Sequence, residues 1–131
     1  MQRAPLRGLL LIGLLAASGA PAGASSAPPA GRYAGSLCVT LPGGGPECGP
    51  ARIEWARSGQ ARVRVSDLLY ALTLHSSQVE VVLKHGAMQI DAFTGSYEWG
   101  RSGAHTALHF VDADKRVRYE VRFSGRWRGP R

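Results

Sequence analysis

Hydrophobic and polar side chains alternate most regularly in the last segment of the chain, residues 116–128. Successive side chains of an extended strand point to opposite faces, so this segment has one apolar face and one basic face. The apolar face is formed by Val117, Tyr119, Val121, Phe123 and, beyond Gly125, Trp127. The other face is formed by Arg116, Arg118, Glu120, Arg122, Ser124, Arg126 and Arg128. The pattern predicts a strand whose arginines point outward.

The same period of two recurs along most of the preceding chain. It predicts short strands within residues 33–41, 51–55, 61–65, 79–84, 88–92, 93–99 and 104–110. Residues 68–74 fit either a strand or one turn of helix capped by Ser66 or Asp67. Thr73 and the neighbouring strands favour a strand at this position.

Glycine, proline and small polar residues separate these segments at short intervals, and no long helical pattern is present. Short connections favour antiparallel neighbours, and closure of the sheet removes exposed strand edges. The sequence therefore predicts an all-β fold: a small antiparallel meander, closed into a barrel of about eight short strands. The strand at Tyr33 would pair with the strand at Tyr119. We expect a single domain over residues 32–128.

The N-terminus has the order of features of a secretory signal peptide. Arg3 and Arg7 precede an apolar run over residues 8–17, and Ala22-Gly23-Ala24 has the form of a cleavage site. The apolar run is shorter than the roughly 20 residues that span a bilayer, which disfavours a retained membrane anchor. We therefore expect a signal peptide over residues 1–24, a flexible lead over 25–31, and a periplasmic or secreted mature protein with no transmembrane segment.

The chain contains two cysteines, Cys38 and Cys48, which flank the glycine- and proline-rich residues 42–46. An exported protein meets an oxidising compartment, where a disulfide is the expected state of such a pair. No third cysteine or histidine stands nearby at the spacing of a zinc site. The sequence predicts a Cys38–Cys48 disulfide at the base of a hairpin.

Positive charge is concentrated at the C-terminus. The full chain has a formal net charge of +7, and residues 115–131 hold seven basic residues and one acid. Arginine forms forked hydrogen bonds with phosphate and carboxylate groups. An anion-binding role is therefore one hypothesis, and a solvated face that aids solubility is the other. The candidate residues are Arg116, Arg118, Arg122, Arg126 and Arg128.

Most aromatic residues lie on the apolar side of their strands, which indicates core packing. Trp99 and Trp127 stand at strand ends beside arginines, so an exposed aromatic rim is a further hypothesis. His105 and His109 would be about 13 Å apart on a strand, too far to share a metal ion. The sequence shows no catalytic motif, and we expect no enzyme activity, no metal site and no cofactor.

Three functions remain open at this point. The first is a non-catalytic binding module whose arginine-rich last strand docks an anionic envelope polymer or an acidic protein, without specific nucleic-acid recognition. The second is a lipocalin-like carrier, which requires an interior cavity for a small apolar ligand. The third is a structural envelope protein.

Overall fold

The computed structural model describes residues 27–127, which contain eight strands in one closed antiparallel barrel. The expected signal peptide over residues 1–24, the first two residues of the expected flexible lead, Ser25 and Ser26, and Arg128 lie outside this range. The strands are β1 (Gly31–Thr40), β2 (Pro46–Trp55), β3 (Gln60–Val65), β4 (Leu68–Leu74), β5 (Gln78–His85), β6 (Met88–Ser102), β7 (His105–Asp112) and β8 (Val117–Arg126).

Each strand pairs with the next one along the chain, and β1 pairs with β8 to close the barrel. The closing register runs from Tyr33 opposite Arg126 to Thr40 opposite Arg118. This confirms the predicted all-β meander and its closure between the first and last strands. Residues 68–74 form a strand, as the propensity of the segment favoured.

The sixth strand differs from the sequence prediction. Residues 88–92 and 93–99, predicted as separate strands, belong to a single strand that continues through Gly100, where a turn was expected. The strand pairs first with β5 and then with β7. Gly95 permits this course, because a Cβ atom there would lie 1.8 Å from the carbonyl oxygen of Val111. The turn begins only at Gly103, whose φ of 64° suits glycine.

The barrel has two open ends, which we name by the course of β1. The upper mouth is where β1 begins and β8 ends, and the lower mouth is where β1 ends and β8 begins. Aromatic rings fill the space between them. Tyr33, Trp55, Trp99 and Phe123 lie toward the upper mouth, and Tyr70, Phe93, Phe110 and Tyr119 lie toward the lower mouth.

Residues 27–30 lie against the upper mouth, and Gly31 is already the first residue of β1. The composition of residues 25–31 indicated a flexible lead because it offers little apolar surface to bury. The contacts instead use backbone carbonyl groups, which every residue carries and which composition therefore does not distinguish. We call residues 27–30 the arm.

The disulfide joins Cys38 of β1 to Cys48 of β2, which are directly opposite each other in the register. Cys38 alternates with the inward residue Leu37 and so lies on the outer wall, yet it is 1% exposed. The predicted bridge is therefore present. A pair at disulfide distance is consistent with an oxidising, exported environment.

Candidate functional site: an arginine–tryptophan face

The arginines of the last strand do not form one continuous face. Arg116 precedes β8 and has a φ of 57°, so it belongs to the turn, and Arg118 is exposed at the lower end of the strand. Arg122 is half-buried and its Nη2 lies 3.3 Å from Oε1 of Glu120. Arg126 lies at the upper mouth. Four of the five candidates thus lie in three places: Arg116 and Arg118 at the lower end, Arg122 on the wall and Arg126 at the upper mouth. The fifth, Arg128, is outside the described residues.

A bulge near the end of β8 separates Arg126 from the other arginines. Opposite β1, the register passes from Phe123–Gly35 to Gly125–Ala34, which leaves Ser124 without a partner. The extra residue reverses the alternation. Arg126 consequently lies opposite the inward residue Tyr33, with its guanidinium carbon 5.2 Å from the centre of the Tyr33 ring. The prediction that Arg126 shares the face of Arg118 and Arg122 is therefore wrong, although its side chain is exposed.

The same bulge places Trp127 on the outer wall instead of the apolar inner face. Its ring is 4.8 Å from the guanidinium carbon of Arg52 and 5.7 Å from that of Arg32. Arg52 alternates with the buried residues Ala51 and Ile53, so it points outward. The expectation that Trp127 continues the side of Phe123 is wrong for the same reason as for Arg126.

An arginine-rich surface lies on the outer wall of β1, β2 and β3, away from the last strand. We call it the arginine–tryptophan face and define it by Arg32, Arg52, Glu54, Arg62, Arg64 and Trp127. These residues line a groove of about 150 Å³. The five charged residues are all exposed. Four arginines thus share a small outer surface with one carboxylate.

The single acid of the face does not neutralise all of its arginines. Glu54 lies opposite both Arg32 and Arg62 in the register, and its Oε1 is 3.7 Å from Nε of Arg62. Arg52 lies directly opposite Arg64. Within residues 27–127, no carboxylate approaches Arg32, Arg52 or Arg64 within 4.0 Å. Like charges directly opposite each other across a sheet are destabilising, so this arrangement opposes folding.

The two tryptophans proposed as a rim are on different sides of the wall. Trp99 is packed inside the barrel with its ring centre 5.4 Å from that of Trp55, and Trp127 is outside. They therefore do not form a shared rim. Of the two rings, only that of Trp127 contributes to the arginine–tryptophan face.

The barrel interior holds two clusters of ring-to-ring contacts, one toward each mouth. Tyr33 meets Phe123 edge-on at 5.2 Å between ring centres, and Phe110 stacks on Tyr119 at 4.9 Å. Between the rings, aliphatic side chains such as Ile53, Val63 and Leu108 are at most 1% exposed. Side chains thus occupy the space in which a carrier would hold its ligand.

Ionisable groups gather at the lower mouth. Nζ of Lys115 donates a hydrogen bond to Oδ2 of Asp91 at 2.7 Å, and this bond lowers the pKa of Asp91 below its usual value. Burial, assisted by nearby phenol and carboxylate groups, raises the pKa of Tyr119 to about 12. Burial and the charge of Asp91 also raise the pKa of Tyr70. The lower mouth therefore contains an ion pair and two phenols, and the charge of each of these groups depends on pH.

No cluster of three or more metal-ligating side chains occurs within residues 27–127. His109 lies over Gly100 on the outer wall and alternates with buried Phe110. His105 is exposed at the start of β7. The same described part of the chain contains no helix long and apolar enough to cross a membrane.

The sequence contained a partial signal for the arginine–tryptophan face. Arg52, Arg62 and Arg64 each alternate with apolar residues, so their outward orientation was predictable. Their proximity depends on the β2–β3 register, which places Arg52 opposite Arg64. The position of Trp127 depends on the bulge at Ser124, which the alternating pattern gave no reason to expect.

Comparison with known proteins returned no match: no family model fits the chain, and no curated protein or solved structure is significantly similar to it.

Proposed function

We propose that this protein is an exported, non-catalytic binding module that holds an anionic polymer on its arginine–tryptophan face. The observation that carries this proposal is the opposed pair Arg52 and Arg64, which has no carboxylate partner within residues 27–127. An anion with oxygen atoms spaced along a chain could lie between the two guanidinium groups and remove their mutual repulsion. Arginine suits this task because its fork binds two oxygen atoms at once.

Trp127 supports the same proposal by ordering one side of the face. Its ring lies against the guanidinium groups of Arg32 and Arg52, which limits the conformations of two long side chains. A surface that is ordered before binding loses less entropy when the ligand arrives. The face therefore combines charge with pre-organisation, which a surface serving only solubility does not require.

Export is supported by the signal-like N-terminus and by the Cys38–Cys48 disulfide. An exported module of this kind would meet polymers bearing phosphate or carboxylate groups at the cell envelope. The last strand is less suitable as a binding surface, because Arg122 already has Glu120 as a partner and Arg126 lies at the upper mouth.

The carrier function receives less support. It needs space for a ligand inside the barrel, and the aromatic stacks of Phe93, Phe110 and Tyr119 fill that region. A structural envelope role is not favoured by any particular contact.

Two double variants of equal net charge test the proposal. Arg52→Gln/Arg64→Gln removes the opposed pair, and Arg116→Gln/Arg118→Gln removes two arginines from the last strand. Binding to polyphosphate and to poly-glutamate is measured by calorimetry at low and high salt. We expect the first variant to lose at least about tenfold in affinity, since two charged contacts disappear. The second variant should bind like the parent.

The salt dependence provides a second readout. Binding of the parent should weaken steeply with added salt, because contacts between exposed charges are screened. An equal loss of affinity in both variants would show that only net charge matters. A loss of affinity in the second variant alone would show that the anion binds to the last strand. Either result contradicts the proposed face. If the protein captures an acidic protein but binds neither polymer, the ligand is an acidic protein and the polymer proposal is wrong.

A further inference from the structure

The arm enters the upper mouth through three consecutive backbone carbonyl groups. The carbonyl oxygen of Pro28 accepts a hydrogen bond from Nε1 of Trp55 at 2.9 Å, and that of Pro29 accepts one from the Tyr33 hydroxyl at 2.6 Å. The carbonyl oxygen of Ala30 is 3.5 Å from Nη1 of Arg126. Three different side-chain types, contributed by β1, β2 and β8, therefore contact three successive residues of the arm.

Two of the three donors are packed against other rings of the barrel. Tyr33 and Trp55 are 6% and 8% exposed, and their rings pack against Phe123 and Trp99. Arg126 lies opposite Tyr33 because of the bulge at Ser124, and its side chain is exposed at the mouth. The mouth is thus a row of hydrogen-bond donors beside packed aromatic rings.

The chemistry of the arm matches these donors. Proline has no N–H group and a fixed φ, so consecutive prolines favour an extended polyproline conformation that presents carbonyl groups without competing donors. Aromatic-lined grooves commonly bind such segments, because little conformational entropy is lost on docking. The indole and phenol groups of the mouth are the donor types that this mode of recognition uses.

We propose that the upper mouth is a docking site for an extended partner peptide containing two consecutive prolines, and that the arm occupies it as an internal ligand. A cleft of about 340 Å³ adjoins the arm, and its lining includes Pro28, Pro29, Tyr33, His105, Phe123 and Arg126. This cleft provides room for side chains that flank the prolines of a partner. The site is separate from the arginine–tryptophan face.

The arm also sets the affinity of the site. A partner binds only when the arm has left, so its apparent affinity falls in proportion to the open fraction. Gly31 can act as the pivot for this movement: its φ of 152° suits glycine, and a Cβ atom there would lie 2.5 Å from Nη1 of Arg126. Loosening the arm should therefore strengthen binding of a free peptide.

The test compares the mature protein with its Pro28→Gly/Pro29→Gly variant. Each protein is titrated with the peptide acetyl-Ser-Ser-Ala-Pro-Pro-Ala-Gly-amide, which copies residues 25–31. Binding is followed by NMR at the indole N–H signals of Trp55 and Trp127, assigned by Trp→Phe substitution. We expect about tenfold tighter binding to the variant, since two glycines weaken docking of the arm. The Trp55 signal should shift and the Trp127 signal should not.

A second peptide, with both prolines replaced by glycine, is the matched control and should bind weakly or not at all. The proposal is overturned if the Trp55 signal is unmoved by the proline peptide in both proteins, or if both peptides bind the variant equally. The proposal is also overturned if the variant forms concentration-dependent dimers that do not bind the peptide. That result would indicate that copies of the protein exchange their arms. None of these results affects the polymer-binding test, which reads a different surface.

Discussion

The two mouths of the barrel are closed by different chemistry. At the upper mouth, Tyr33 and Trp55 donate hydrogen bonds to backbone carbonyl groups of the arm. At the lower mouth, the Asp91–Lys115 ion pair lies near the phenols of Tyr70 and Tyr119. The groups whose pKa values the fold shifts, Asp91, Lys115, Tyr70 and Tyr119, all belong to the lower mouth. We infer that titration of these groups acts on the lower mouth and that peptide competition acts on the upper one.

The largest effect is expected where the wall below the upper mouth leaves no room for a side chain. A Cβ atom at Gly35 would lie 1.8 Å from the carbonyl oxygen of Arg122, so Gly35→Ala must push β1 and β8 apart. We expect a loss of at least about 4 kcal/mol in the free energy of unfolding, or failure to fold. Urea denaturation measures this loss. Gly45→Ala is the control, because its Cβ atom would meet no atom within 4 Å; equal stability of the two variants would contradict the prediction.

Removal of one ring from each end compares the packing of the two mouths. Phe123 is 5% exposed, and Phe123→Ala should cost about 3 to 4 kcal/mol through lost contacts and a cavity. Tyr119 is only partly buried, so Tyr119→Ala should cost less. Both values come from chemical denaturation of the purified variants. A larger loss for Tyr119→Ala would show that the lower mouth carries more of the stability than its burial indicates.

Loss of the disulfide should act on the outer wall rather than on either mouth. The bridge joins residues separated by 10 positions, and closure of such a loop is valued at roughly 2 to 3 kcal/mol by the chain-entropy model. Reduction should lower the Tm by about 10 °C. A Cys38→Ser/Cys48→Ser variant should not respond to reductant. Two free thiols in protein isolated from an oxidising compartment would contradict the bridge.

The smallest predicted effect concerns pH at the lower mouth. The pKa of Tyr119 is raised from 10.0 to about 12, chiefly by burial. Because the folded-state pKa is the higher one, the neutral phenol stabilises the fold fully below pH 10, and this contribution disappears as the pH rises through about 12. Solvent screening of the half-exposed ring limits it to about 1 kcal/mol. Tyr119→Phe should flatten the fall in stability above pH 10; an unchanged pH profile would assign that fall to other groups.

The alternating pattern was a good guide wherever the strands are regular. Val117, Val121 and Phe123 are buried as predicted, because one register slip would have buried charged residues in their place. The pattern misplaced Arg126 and Trp127, since one unpaired residue at Ser124 reverses every later orientation. A bulge arises from how two distant strands meet, and neither strand reveals it alone.

The candidate sites depend on the same distant pairings. The opposition of Arg52 and Arg64 requires the register between β2 and β3, although each arginine is recognisable as outward from its neighbours. Docking of the arm requires donors from Tyr33, Trp55 and Arg126 at one mouth. Carbonyl acceptors occur in every residue, so the sequence of the arm contains no special mark of this contact.

Closure of the barrel between β1 and β8 also has a kinetic consequence. Tyr33 pairs with Arg126, so the seam joins the first and the last strand of the barrel. Until β8 has been synthesised, β1 lacks one of its two neighbours and retains an open hydrogen-bonding edge. Contacts between residues so far apart in the chain form slowly, because closing the intervening loop costs entropy before the contacts stabilise it. The strand that completes the wall is the last of the eight to be made, so the barrel can close only after all the other strands have been synthesised.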